Sequence, residues 1–195
     1  MTTLAAQPAR TVPEHVMRAA KRMFLANGMV EMRALARDVG IGRATLYRWN
    51  WSRDDLLQAV IAALGLANLA RAEHDVSTPP GAERFCDVHD LHIRRICAST
   101  GMRSFIRSEP EVAARLLLDA GGRVHLSLVD GLADLIRRQQ EEGGWQPPLP
   151  AERLAGLVAR LTEAFMYGDL FARAEPDPDT PDLVLRMMLD VATRS

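Results

Sequence analysis

Between Met32 and Leu57 the spacing of apolar positions describes a helix, a corner and a second helix. Met32, Leu35, Ala36 and Val39 stand at i, i+3, i+4 and i+7, one apolar stripe along a helix. Gly40 and Gly42 flank Ile41. A glycine just past the last periodic residue takes the left-handed conformation that closes a helix. Ile41 is then an apolar plug facing back into the corner. The stretch from Arg43 to Trp49 predicts a short helix with Leu46 inward and Arg43, Thr45, Tyr47, Arg48 and Trp49 on its outward faces. So short a helix is held by packing, not by its own propensity. Two helices joined by a glycine-containing corner have the layout of the helix-turn-helix, whose second helix enters the major groove of DNA.

The same periodicity organises the rest of the chain. Ahead of the corner, Val16, Ala19, Ala20, Met23 and Phe24 predict a helix that begins near Thr11, carries Pro13 in its first turn and ends before Gly28. Behind it, Ser52 and Asp55 form a capping box with Asp in the usual Glu position. They open a helix carrying Leu56, Leu57, Val60, Ile61 and Leu64 to about His74. That is longer than a three-helix head needs, so it is expected to link two parts of the molecule rigidly. Ser77-Thr78-Pro79-Pro80-Gly81 is a break. Helices are then expected over about 82–100, 102–107, from Pro110 towards Gly121, over 123–142, over 151–174, and from Thr180-Pro181 to the end. The expected fold is all-α, with a three-helix DNA-binding unit over 1–51 and a helical ligand-binding and dimerisation unit over 52–195.

Composition agrees with that picture and narrows it. Of 195 residues 48% are apolar, 25% charged and only 5% aromatic, an ordinary soluble balance that favours helix over sheet. No apolar run reaches membrane-spanning length, and the N-terminal residues lack a secretory pattern. Cys86 and Cys97 are therefore expected as free thiols in a reducing cytoplasm. The overall charge of −1 is not that of a DNA binder, but it is unevenly spread. Residues 1–60 hold nine basic and five acidic side chains, net +4, and the remainder carries −5. A basic head on an acidic body suits a DNA-binding unit joined to a sensor.

The corner chemistry suits the groove. Arg43 and Arg48 can neutralise phosphates or pair bidentately with guanine edges, and Thr45 and Tyr47 offer hydroxyls to phosphate oxygens. The run GIGRATLYRW followed by SRDDLL resembles the DNA-binding unit of the TetR/AcrR family of bacterial repressors, and the form RATLYRW is most similar to its QsdR-like branch. The resemblance covers roughly residues 12–62. It implies an all-helical homodimer that binds an inverted-repeat operator and is released by a small-molecule effector in the C-terminal part. It places Arg33, Arg43, Ala44, Thr45, Tyr47, Arg48, Trp49 and Arg53 at the DNA. The branch also implies a lactone or acyl effector. Three positions depart from the family pattern. Asn50 stands in place of a buried apolar residue, and Arg53 in place of lysine. Val30 and Glu31 lie where a hydroxyl residue usually starts the first helix of the motif.

Candidate effector contacts follow from apolar stripes carrying polar exceptions. In the segment 82–100, Phe85, Val88, His89, His92, Ile93 and Ile96 share one side. The expected cavity set is Phe85, His89, His92, Ile96, Phe105, Leu117, His125, Leu128 and Phe165, with the histidines fixing a ligand's carbonyl or hydroxyl. Cys86, His89 and His92 also allow a metal-responsive alternative, although i, i+3 and i+6 spread along a helix rather than converge. A DNA-binding protein without effector is the other alternative. There is no phosphate-binding glycine loop, no G-x-S-x-G and no H-E-x-x-H, and nothing points to an enzyme. The last two helices carry apolar residues on more than one face, which predicts a dimer seam of Leu154, Leu157, Val158, Leu161, Phe165, Leu183, Val184, Met187 and Met188.

Overall fold

The computed structural model describes residues 12–42, 52–172 and 174–191. Among them every regular element is helical. In chain order these are α1 (Glu14–Asn27), α2 (Met32–Asp38), α3 (Arg53–Asp75), α4 (Ala82–Ala98), α5 (Thr100–Ser108), α6 (Pro110–Leu117), α7 (Arg123–Gly143), α8 (Ala151–Thr162), a π-helical turn (Glu163–Tyr167), α9 (Gly168–Phe171) and α10 (Asp179–Met188).

The punctuation of the chain acts where the sequence places it. Gly28 closes α1 with φ +76° and donates its N–H to Phe24 O. Gly40 has φ +68°, and the Ile41 N–H donates to Ala36 O at 3.0 Å. Ile41 is half-buried and packs on the core, as the plug of the corner. Ser52 and Asp55 form the expected reciprocal capping box at the head of α3. The start of α1 differs. Pro13 is its N-cap residue and supplies no side-chain bond, while Thr11 lies outside the described residues. The N-cap of α2 is Glu31, likewise without a side-chain bond.

Two apolar clusters hold the helices together. The first joins Val16, Ala20 and Phe24 of α1, Leu35 of α2 and Leu56, Leu57 and Val60 of α3 to Phe105, Ile106, Leu116 and Leu117 of α5 and α6, and to Met166 and Tyr167 of the π turn. The second lies among the far half of α3, α4, α7, α8 and α10. The first core therefore joins the N-terminal helices α1 and α2 to the body of the molecule.

The expected helix over 151–174 runs without interruption from Ala151 to Phe171 but widens part-way. Between Glu163 and Tyr167 the backbone widens into a π turn, in which Glu163, Met166 and Tyr167 are all buried. The wider turn changes which side chains face inward at a bundle core already occupied from several directions. Such single π turns recur at functional positions.

Where α1 ends on α5 the two backbones touch. A Cβ on Gly28 would stand 2.5 Å from Gly101 O and Phe105 N, and one on Gly101 would stand 2.4 Å from Phe24 O. Phe24 and Phe105 meet edge to face beside this crossing, with ring centroids 5.7 Å apart. Ser104 Oγ donates to Asn27 O. Only two glycines allow this approach, so the N-terminal unit and α5 are mechanically joined.

Candidate ligand cavity and DNA-facing surface

The DNA-facing candidates divide into those the structure describes and those it does not. Arg43, Ala44, Thr45, Tyr47, Arg48 and Trp49, together with Asn50, lie outside the described residues. Arg33 is exposed on α2. Arg53 is half-buried and engaged. Its Nε donates to Val30 O at 3.1 Å, and its Nη1 and Nη2 donate to the two carboxylate oxygens of Glu109 at 2.6 and 2.5 Å. A planar guanidinium can make that paired contact and a lysine ammonium cannot. Arg53 therefore braces the chain entering α2 against the head of α6. Arg115 and Asp54, 2.7 Å apart, add a second tie between α6 and α3.

A cavity of about 530 Å³ opens among α1, α3, α4, α5, α7 and the π turn. This volume falls inside the range of roughly 300–1,000 Å³ typical of small-molecule sites. Of the expected cavity residues, His92, Ile96 and Leu128 line it. Phe85, Phe105 and Leu117 are instead fully buried in the two cores. His89 and His125 are buried in side-chain hydrogen bonds away from the wall, and Phe165 is half-buried and also off the wall. The wall adds residues the sequence reading missed: Phe24 and Leu25 of α1, Asn68 and Arg71 of α3, Arg95 of α4 and Tyr167 of the π turn. Asn68 carried a legible signal, the one polar side chain in the apolar run 59–70. Phe24 and Leu25 carried none, because their place on the wall depends on the glycine crossing.

His92 and His89 are held neutral by burial and by the hydrogen bonds they make. Asn68 Nδ2 donates to His92 O at 2.9 Å, which fixes the amide's orientation, and also reaches His92 Nδ1 at 2.8 Å. Nδ1 is therefore the acceptor and the ring proton resides on Nε2. Burial, with Arg95 nearby, pushes the His92 pKa down to about 3. His89 Nε2 meets Thr162 Oγ1 at 2.8 Å, and that hydroxyl donates to Val158 O at 2.9 Å. His89 thus donates through Nε2, leaving Nδ1 buried without a partner among the described residues, and burial pushes its pKa down to about 4. His125 Nδ1 lies 2.7 Å from Glu163 Oε1, tying α7 to the π turn.

The metal alternative finds no support in this arrangement. Among the described residues no group of three His, Cys, Asp or Glu side chains gathers around a point. Cys86 is buried, and burial pushes its thiol pKa up to about 12, against the thiolate a metal needs. His89 and His92 each use a ring nitrogen on a neighbouring side chain.

The proposed seam residues also divide. Leu154 and Val158 are fully buried within the chain's own second core. Leu161, Phe165 and Val184 are half-buried. Leu157, Leu183, Met187 and Met188 are exposed, Met187 by 69%.

The family profile described as "Tetracyclin repressor-like, C-terminal domain" matches residues 80–190. The chain belongs to the TetR family. Among solved structures, this TetR-family chain is similar to the transcriptional repressor QsdR of R. erythropolis. The TM-score is 0.81 at 28% identity, over 92% of this chain and 94% of that one. It also shares its fold with the TetR family repressor AlkX of Dietzia sp., implicated in biodegradation of n-alkanes (TM-score 0.65, 16% identity, 94% and 96% covered). A third likeness of fold is to FadR of Bacillus subtilis, solved in complex with stearoyl-CoA (TM-score 0.55, 12% identity, 91% and 98% covered). A comparison with curated protein sequences finds no match. The all-α TetR fold and the similarity to QsdR are those the corner motif implied, and the profile match extends the family assignment over the body.

Proposed function

We propose that this TetR-family chain is a sequence-specific DNA-binding repressor that works as a homodimer and is released by a small molecule in the 530 Å³ cavity. The observation carrying this reading is that Phe24 and Leu25 of α1 form part of the cavity wall. A ligand there touches the N-terminal unit itself. Its effect need not travel through the length of α3, because α1 and α5 are locked at Gly28 and Gly101. A ligand that fits only one arrangement of α1 against α5 shifts the population of DNA-binding and non-binding forms. The division into a DNA-binding unit over 1–51 and a ligand and dimer unit over 52–195 is part of the proposal, with the shared core as the coupling element.

The DNA side is tested with sites selected by the protein from a random pool. Arg43→Ala and Arg48→Ala should each weaken a selected site by about 1–3 kcal/mol if the arginine reads a base. Loss of a phosphate contact should lower the slope of log affinity against log salt by about 0.9. Affinity unchanged in both variants, measured by fluorescence anisotropy over a salt series, would sink the placement of this segment in the groove.

The exposed apolar residues of α8 and α10 support the dimer. Leu183 and Met187 stand one turn apart on α10, and Leu157 lies on α8. Pairing them with a second copy makes a two-fold contact, and two-fold-related heads read an inverted repeat. Leu157→Glu with Met187→Glu changes side chains that are exposed within the chain, so the fold should survive while sedimentation reports monomers. Those monomers should bind the selected site at least tenfold more weakly. A wild-type monomer protecting a single half-site at full affinity would overturn the dimer.

A further inference from the structure

The cavity has an apolar body and one polar edge, and that edge is unbalanced. Phe24, Ile61, Leu64, Met102, Val124 and Leu128 supply the apolar surface. The polar edge lies where α3 and α4 run side by side. Asn68 bonds to His92, and one turn further along each helix stand Arg71 and Arg95, both on the cavity wall. No Asp or Glu lines the cavity among the described residues.

Arg95 is held from behind. Its Nη2 donates to Asp75 Oδ2 at 2.6 Å, and Asp75 is not on the wall. Its Nη1 is buried with no hydrogen-bond partner among the described residues. A buried donor left unpaired carries a desolvation cost that an acceptor arriving in the cavity would remove. His92 is on the same face one turn earlier, with its ring proton on Nε2 because Nδ1 accepts from Asn68. Arg71 and Arg95 set against Asp75 leave this edge with net positive charge.

We infer that the cavity binds an amphipathic monocarboxylate, its apolar body among α1, α5 and α7 and its carboxylate at Arg95 Nη1, with His92 and Arg71 beside it. One carboxylate oxygen takes the orphan guanidinium donor and the other takes the imidazole N–H, a charge-assisted pair. Asp75 and Asn68 are positioning residues: the first orients the guanidinium and the second sets the imidazole tautomer. This inference names the ligand class of the cavity in the proposed function and rests on that reading.

The test compares the carboxylates hexanoate, decanoate and 4-phenylbutyrate with their uncharged amides by calorimetry on the full-length protein. At least one acid should bind at least tenfold more tightly than its amide. Arg95→Gln should remove that preference by weakening the acid tenfold or more while leaving the amide within about twofold. No binding by any acid, equal binding of acid and amide, or equal weakening of both in Arg95→Gln would each overturn the inference. The acid–amide comparison on the wild type stands even if the variant fails to fold. Release of the selected DNA is measured in parallel. An amide that binds and releases DNA as well as its acid leaves the effector reading standing and removes the carboxylate. An acid that binds with the expected preference but releases nothing leaves the site and removes the effector reading.

Discussion

Arg186→Met should lower the stability of the folded chain by about 3–5 kcal/mol, the usual consequence of removing one member of a buried ion pair. Arg186 is 1% exposed and lies on α10. Its Nη2 donates to Asp87 Oδ1 of α4 at 2.6 Å, and its Nε donates to Asp182 at 2.8 and 3.0 Å. Asp87 is 4% exposed and also accepts from Thr78 Oγ1 in the break before α4. Methionine fills much of the arginine's volume but removes the cation facing two carboxylates. Urea unfolding at fixed protein concentration checks the expectation, since a dimer's midpoint moves with concentration. The triple variant Arg186→Met, Asp87→Leu, Asp182→Leu should regain most of the loss, because an apolar replacement of a whole buried ionic group is often neutral. A single variant within about 1 kcal/mol of wild type would show that the cation is dispensable. Because α10 carries Leu183, Met187 and Met188, the same change should also weaken the proposed dimer, whereas the direct seam variants leave folding intact.

This ion pair also shows where sequence reading stops. Helix positions were legible because they depend on local spacing. The stripe of Met32, Leu35, Ala36 and Val39, the corner glycines, the Ser52–Asp55 box and the Pro-rich breaks each act within a few residues. Arg186 and Asp87 are 99 positions apart, and nothing local marks their partnership. Arg53 sits among residues that resemble a DNA-binding motif, and nothing local marks its second role, the grip on a carboxylate 56 positions on. The π turn was missed because apolar periodicity over 151–174 reads as helix throughout, and one widened turn hardly disturbs it. Within the candidate cavity, His92, Ile96 and Leu128 were found because they lie on long stripes. Phe85, Phe105 and Leu117 lie on equally good stripes and fill the cores instead. A stripe identifies an inward face. Whether that face meets another side chain or empty space is decided by how helices cross, and here by two glycines at the α1–α5 contact.

The second large effect is on pH. Lowering the pH from 7.5 to 5.0 should cost about 4 kcal/mol of stability, about 2 kcal/mol from each of His89 and His92. Both are 1% exposed. In the unfolded chain each has the ordinary value of 6.5, while folding pushes His89 down to about 4 and His92 down to about 3, chiefly by burial. A depressed pKa means that the unfolded chain takes up protons first. Stability is therefore present in full above pH 6.5 and is lost as the pH falls towards the folded values. The upper part of that window, from 6.5 to about 4.5, belongs to the histidines. The exposed carboxylates with lowered values, Asp75, Glu152 and Asp177, change their contribution only below it. Denaturant unfolding at half-unit steps reads the slope directly. His89→Gln keeps a donor for Thr162 and removes one titrating ring, so it should flatten the slope by about half. A wild-type stability that does not change between pH 7.5 and 5.0 would mean that these imidazoles are solvated or charged in the fold. The neutral His92 tautomer on the cavity wall would then be wrong as well.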